Sequence, residues 1–374
     1  MSFEFINGAE LISRAAIYAG CDFFAGYPIT PATAIHLNMM REMPAIGRFA
    51  IQGEDEIASI SMCIAASMAG KKVMTATSGP GISLYSESIG LAVMGEVPLV
   101  IVNVQRLGPA TGGATTGAQG DIQFVRWVTS GGLPMVVLCP ASNESIYRLT
   151  IEAFNISEKL RTPVFLLTSK DMVLARHTME TQRFSQPAIV NRKYFEGAGD
   201  FIPYAFKNLS DTPEFLPVGG RQPVRFTTSM HDSQGFLTKD PEKVKQKLLH
   251  LQDKIIANMS EYMYTDLDKE EDAQTLIIAY GINTPVCKDV LETVRNNGRK
   301  CSLLTIETLF PLPEKQISEA IQSIKTIIIP ELNTGLYAGA IKHLTAPGQE
   351  LKSITRIDGE LFSTDYIIQQ SGLL

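Results

Sequence analysis

The sequence predicts an α/β protein built on a doubly wound parallel sheet, followed by a second, smaller α/β unit. Three observations carry this. Between residues 1 and 180, short runs that are apolar throughout recur at helix-length intervals, as strands buried on both faces do. The segments between them show helical periodicity with start and stop signals. After an interruption, the same alternation returns beyond residue 270.

Asn7 can cap a helix over GAELISRAAIYA, and Gly20 ends it. CDFFAGY is a strand, after which Thr30 is placed to cap the next helix and Pro31 to open it. FAIQ is a short strand before the helix EDEIASISMCIAASMAG. KVMTATS, LVIVNVQ, MVVLCPA and PVFLLTS are further strands, with helices over ISLYSESIGLAVM and NESIYRLTIEAFNISEKL. From residue 181 the periodicity lapses. Gly, Pro and aromatic residues punctuate SQPAIVNRKYFEGAGDFIPYAFKNLSDTPEFLPVGG, which reads as a long connector or a lid. An amphipathic helix over residues 241–263 sets Val244, Leu248, Leu251, Ile255 and Met259 on one face. Charged DLDKEED then leads into the strands TLIIAYG, CSLLTIETL and TIIIPEL. The expected organisation is a first α/β domain over 1–180, a connector and amphipathic helix over 181–270, and a second α/β domain over 271–374.

The 374 residues are 45% hydrophobic and 19% charged, which bounds the class to globular chains with ample core. A net charge of −6 argues against nucleic acid as the main partner. The start of the chain lacks a basic segment followed by an apolar signal core, and no apolar run is long enough to span a bilayer. A cytoplasmic protein without a membrane partner is expected. Cys21, Cys63, Cys139, Cys287 and Cys301 are scattered, with no C-x-x-C pair, so neither a zinc site nor an iron–sulfur cluster is expected in this chain.

Ligands of open parallel sheets gather at the carboxyl ends of strands. Four loops end strands there: GYPITP, QGEDE, TSGPG and QRLGPATGGATTGAQGD. The last is rich in glycine and threonine and holds one arginine, Arg106, whose planar fork can grip a carboxylate in two bonds. A mobile surface loop with a solvated arginine is the plain alternative. GEDE opens a helix, where acidic residues also simply favour the helix dipole. TSGPG is a tight turn that could cradle a phosphate. His36, His177, His231, His250 and His343 lack metal-ligand spacing, and Ser78 lacks the nucleophile-elbow pattern.

Taken together, YPITP, Q-x-E-D-E-I-A, T-A-T-S-G-P-G-I-S-L and Q-R-x-G-P-x-T-G, in this order, resemble the alpha subunit of the 2-oxoacid:ferredoxin oxidoreductases, and the 2-oxoglutarate branch in particular. The resemblance extends through RTPVFLLTS, PVRFTTSMHDSQG and TLFPLPE. It implies a pyrimidine-binding-type domain and a transketolase-C-terminal-like domain. It implies thiamine diphosphate with Mg²⁺, shared with a beta subunit that carries the pyrophosphate site and a 4Fe–4S cluster, and no metal held by this chain. CoA, a 2-oxoacid and ferredoxin are the implied reaction partners. YPITP lies near residue 1, so a gamma subunit, where the enzyme uses one, is expected as a separate chain, and a delta subunit likewise. By resemblance, Glu54 binds the cofactor aminopyrimidine, Glu56 being its rival two residues on. Tyr27 and Pro28 join the cofactor site. Thr30 meets substrate or the reacting end of the cofactor, and Arg106 binds substrate carboxylate with Thr111 beside it. Two departures, Leu107 where glycine is usual and Ala110 where serine is, bear on which 2-oxoacid is preferred. A branched-chain or aryl 2-oxoacid is the alternative substrate, and a non-catalytic scaffold subunit the alternative of another class.

Overall fold

The computed structural model describes residues 3–220 and 222–374. The first unit runs β1 (Glu4–Asn7), α1 (Gly8–Tyr18), β2 (Phe23–Gly26), α2 (Thr33–Ala45), β3 (Phe49–Gln52), α3 (Glu56–Met68), β4 (Val73–Thr77), α4 (Gly79–Met94) and β5 (Leu99–Gln105). It continues with α5 (Ile122–Arg126), β6 (Val136–Leu138), α6 (Asn143–Leu160), β7 (Pro163–Ser169), α7 (Lys170–Leu174) and β8 (Arg176–Met179). A long connector leads to α8 (Pro241–Ile256). The second unit holds β9 (Thr265–Asp268), β10 (Thr275–Tyr280), α9 (Asn283–Asn296), β11 (Ser302–Ile306), β12 (Thr308–Phe310) and α10 (Glu314–Ile321). It closes with β13 (Thr326–Glu331), α11 (Leu336–Ile341), β14 (Glu350–Thr355) and α12 (Thr364–Ser371).

The first sheet has the order β12-β6-β7-β5-β4-β2-β3, parallel except where β12 pairs with β6. β5 and β7 are buried along their whole length, which is why their sequences are apolar on both faces. One face packs on α1, α2 and α6, the other on α3, α4 and α5. The second core runs on without a break into one face of the five-stranded sheet β14-β13-β10-β11-β9. A third core covers the far face of that sheet with α9 and α12. Asn7 caps α1, accepting from the Glu10 N–H at 2.9 Å while the Glu10 carboxylate accepts from the Asn7 N–H at 3.0 Å.

Three expectations change. CSLLTIETL is not one strand: it breaks at Glu307, and β12 leaves the second sheet to extend the first. The connector is no lid. It runs along the amino ends of the strands, away from the four loops: the Arg192 guanidinium donates to Ser67 O (2.9 Å) and Lys71 O (2.8 Å), and the Val218 N–H donates to Met68 O (2.9 Å). Finally, α8 ends at Ile256, and its buried face is Lys247, His250, Leu251, Lys254 and Ile255, with Leu248 left exposed.

Candidate active site

The four glycine-bearing loops meet at the carboxyl end of the first sheet. Gly53 N–H donates to Gly26 O at 3.0 Å, setting QGEDE beside YPITP. Arg106 Nη1 donates to Thr30 O at 2.6 Å, tying the long loop to YPITP. Asp121, which ends that loop, lies against the start of TSGPG, where a Cβ on Gly79 would stand 3.0 Å from Asp121 Oδ1.

Thr30 does not cap α2. The helix begins at Thr33 after Ala32, with no side-chain cap, and the Thr33 N–H donates to Ile29 O at 2.9 Å. The chain makes a turn over residues 30–32, closed by that bond to Ile29 O, and only then enters the helix. Thr30 is therefore exposed, with its hydroxyl free and its carbonyl committed to Arg106. Tyr27 is exposed and Pro28 half-buried beside it.

QGEDE divides its acids by position. Asp55 caps α3, accepting from the Ala58 N–H at 2.7 Å. Glu56 is buried and turned inward: a Cβ on Gly81 would lie 2.9 Å from Glu56 Cγ, and burial, with the nearby Glu56 charge, pushes the Tyr85 phenol up against the pull of its Thr75 hydrogen bond. Glu54 is exposed on the rim, with its carboxylate in no hydrogen bond among the described residues. Gly53 makes the turn possible, since a Cβ there would stand 2.2 Å from Ser59 Oγ.

Arg106 is buried, with 7% of its surface exposed, and its Nε has no partner among the described residues. It lines a cavity of about 600 Å³ between the two units, whose walls are largely apolar: Leu107, Phe124, Leu332, Leu336 and Ile357. Among the described residues Arg106 is its one cation, and Asp121, Asn333 and Thr334 add polar groups. The loop after Arg106 folds on itself through Gly113 N–H to Leu107 O (2.8 Å) and Leu107 N–H to Thr116 O (2.9 Å). Gly112 is required there: φ is +48°, and a Cβ would stand 1.9 Å from Leu107 O. Ala110 also has a left-handed φ of 52°. Thr111 lies within this turn, exposed, and does not line the cavity. The structure thus brings Thr30 and Arg106 together and leaves Thr111 apart from them.

The sequence reading missed Asn103, Gln105, Asp121 and Gln119. Asn103 Nδ2 donates to Asp121 Oδ2 at 3.0 Å, and Asp121 N–H donates to Gln105 Oε1 at 3.2 Å. Burial pushes the Asp121 carboxyl up, while the Asn103 bond and the Arg106 charge pull against that. The signal was present: Asn103 and Gln105 are alternate residues, hence on one face, in an otherwise apolar strand. Gln119 pins the two units together, with its N–H on Leu332 O (2.9 Å), Asn283 Nδ2 on its Oε1 (2.7 Å) and Asn333 Nδ2 on its O (2.9 Å). His231 is buried against Tyr204 with Nδ1 on Ser229 O, a structural placement.

A parallel sheet with a buried guanidinium among its strand-end loops, joined through a shared core to a second α/β unit, is the frame of a ligand-binding α/β protein, and the matching families make it an oxidoreductase chain. Residues 14–262 match the family described as pyruvate flavodoxin/ferredoxin oxidoreductase, thiamine diphosphate-binding, and residues 273–367 match pyruvate:ferredoxin oxidoreductase core domain II. The chain belongs to this family. It is 36% identical to 2-oxoglutarate synthase subunit KorA of Methanocaldococcus jannaschii, over 96% of this chain and 97% of that protein. It is 32% identical to ketoisovalerate oxidoreductase subunit VorB of Methanothermobacter marburgensis, over 99% and 97%. Its fold superposes with a TM-score of 0.90 and 28% identity on a 2-oxoglutarate:ferredoxin oxidoreductase from Magnetococcus marinus with 2-oxoglutarate, coenzyme A and succinyl-CoA bound. That match covers 98% of this chain and 64% of the longer chain.

Proposed function

We propose that this chain is the alpha subunit of a 2-oxoglutarate:ferredoxin oxidoreductase, which converts 2-oxoglutarate and CoA to succinyl-CoA and CO2 with electrons passed to ferredoxin. The observation that carries this is the buried Arg106, fixed by Thr30 O yet with Nε unmatched among the described residues, on the wall of the cavity between the two units. A guanidinium so placed suits the carboxylate next to a reacting carbonyl. The residues fit the aminopyrimidine end of thiamine diphosphate: Glu54 offers a carboxylate that its own chain does not use, and Tyr27 and Pro28 offer surface beside it. Glu56 is enclosed by its own chain, which favours Glu54 for this role. The cofactor, when bound, supplies the electron sink for decarboxylation. Glu54 would hold the proton of the aminopyrimidine, and Arg106 would orient the substrate, with the free Thr30 hydroxyl beside it. Thr111, on the loop's exposed side, would have the lesser part.

The pyrophosphate and Mg²⁺ site, with the 4Fe–4S cluster, would lie in a beta subunit. Gamma and delta subunits, where used, would be further chains in a cytoplasmic complex. Support comes from the outer face of α3, where Ile57, Ser61, Met62 and Ala65 are exposed without a charge, beside exposed Phe49 and Ile51 of β3.

A second reading, a branched-chain 2-oxoacid, is favoured by the cavity walls. Leu107, Phe124, Leu332, Leu336 and Ile357 suit an aliphatic tail, and the distal carboxylate of 2-oxoglutarate would have to rely on Asn333, Thr334 or the partner. The test is kcat/KM of the reconstituted complex on a panel of 2-oxoacids with CoA and ferredoxin. Highest values with 2-oxoglutarate are expected. A clear preference for 3-methyl-2-oxobutanoate replaces the substrate, and a complex that retains no thiamine diphosphate leaves only a scaffold.

A further inference from the structure

We propose that Asp121 is a positioning residue that decides where an anionic substrate settles: its carboxylate occupies the amino terminus of α4 and so leaves Arg106 as the anion partner in the cavity. The proposal rests on the reading of Arg106 as the substrate-carboxylate site. Four observations carry it. α4 is a long helix whose N-cap, Ser78, makes no side-chain cap, and Ser78 Oγ is fully buried without a partner. Gly79 and Pro80, the first residues of that helix, line the same cavity as Arg106. Asp121 Oδ1 sits against Gly79, and Asp121 Oδ2 is fixed by Asn103 Nδ2 at 3.0 Å. The Asp121 backbone N–H also donates to Gln105 Oε1 at 3.2 Å, so the residue is held through its main chain as well as through Oδ2.

A helix start with free amides and a spare hydroxyl attracts anions. Without Asp121, the cavity would hold two anion sites, Arg106 and the α4 terminus. A 2-oxoacid whose carboxylate took the second would have its carbonyl away from the Glu54 rim. Such binding is real but unproductive. The Asp121 charge stands at the start of α4 from within the chain and repels a second carboxylate from it, while Arg106, bonded to Thr30 O through one N–H group, stays available through its Nε.

This predicts a kinetic signature that general damage does not give. In Asp121→Asn the Asn103 bond is kept through the amide oxygen, and the charge is lost. Unproductive binding lowers kcat and KM by the same factor, so kcat/KM stays near wild type. Loss of site geometry lowers kcat/KM instead. The first measurement uses the full chain alone, with inorganic phosphate as the probe and thermal unfolding as the readout. Asp121→Asn should bind phosphate about tenfold more tightly than wild type, the scale of a helix-terminus charge effect. The second uses the reconstituted complex, where kcat and KM for the 2-oxoacid should fall together and phosphate should become a competitive inhibitor. Asp121→Ser is read the same way should the Asn variant fail to fold. Unchanged phosphate affinity, or a fall in kcat/KM at constant KM, overturns the proposal. If the wild-type complex turns over no 2-oxoacid but the variant chain gains phosphate binding, the substrate reading fails and the placement of Asp121 stands.

Discussion

Arg106 and the two glutamates of QGEDE carry the sharpest expectations for single residues. Arg106 has one N–H group on Thr30 O and an unmatched Nε, so it serves YPITP and the cavity at once. Lysine cannot reproduce that fork. Arg106→Lys should lose about 1.5–3 kcal/mol of transition-state binding, the scale of a charged hydrogen bond, read from kcat/KM, with Ala worse and thiamine diphosphate content retained. Glu54→Gln should lower kcat by about a hundredfold with little change in KM, the scale of acid–base assistance. Glu56→Gln should act on stability, because Glu56 packs inside against Gly81. A crippled Glu56→Gln enzyme beside a near-normal Glu54→Gln one would reverse the assignment. Arg106 was legible because it is the lone arginine of a glycine-rich loop after a buried strand. Asp121 was not, because one acid at a loop's end looks like a solvated turn until Asn103 and Gly79 are seen around it. The Thr30 cap was misread because Thr-Pro reads as a helix start, while the chain makes a turn over residues 30–32 before α2 begins at Thr33.

Among the elements, the buried central strands were legible, and α8 was legible as a helix but not in the face it buries. All-apolar runs such as LVIVNVQ and PVFLLTS became β5 and β7 residue for residue, because strands buried on both faces leave no other composition. β12 was hidden because three residues after a break carry no period of their own. In α8 the apolar stripe held at Leu251 and Ile255 but not at Leu248, and beside them the helix buries Lys247, His250 and Lys254. They surround Glu96, which lies after α4 and is fully buried: Lys247 Nζ is 2.6 Å from Oε1, and Lys254 Nζ and His250 Nε2 are 2.7 and 3.1 Å from Oε2. Hydropathy counts lysine as solvent-facing, so a buried basic face is invisible without its acid, here some 150 residues away in sequence. Burial alone would raise the Glu96 carboxyl, but Lys247, Lys254 and His250 outweigh it and hold it well below 4.5. The folded-state value is thus the lower one, so the stabilisation is complete above pH 4.5 and drains away as pH falls below it. Glu96→Gln strands three bases without a counter-charge and should cost about 3–5 kcal/mol at pH 7, measured by urea unfolding. The gap between variant and wild type should narrow as the pH is taken below 4.5, and a gap that is constant with pH would show that Glu96 acts by shape alone.

At the scale of the whole molecule, the surface next to the Glu54 rim is unlike a solvated one. From Ile57 to Gly70 the sequence holds no charged residue, and α3 still exposes Ile57, Ser61, Met62 and Ala65. Helices that end in water carry charge on the outer face. β3 is an edge strand with Phe49 58% exposed, and Leu84 of α4 is 47% exposed nearby in the chain's second layer. This face closes one side of the rim that holds Glu54, so a partner seated here would also cover the carboxylate and exclude water from it. The small residues matter as much as the apolar ones, because Ser61 and Ala65 let another backbone approach closely. Ala65→Glu places a charge in the middle of that face at a position that is exposed in the isolated chain. Its own fold should be unaffected, with unfolding free energy within roughly 0.5 kcal/mol of wild type, as for surface substitutions generally. Its capacity to hold the beta subunit should be lost, and thiamine diphosphate retention and 2-oxoacid turnover should disappear in step with it. The control is Lys245→Glu on exposed α8, which should leave all three intact. Size-exclusion chromatography of coexpressed chains reads the outcome directly. An Ala65→Glu chain that elutes with its partner at normal stoichiometry would move the interface to another face, and Glu54 would then face solvent in the assembled enzyme, where a carboxylate has little leverage on a cofactor proton.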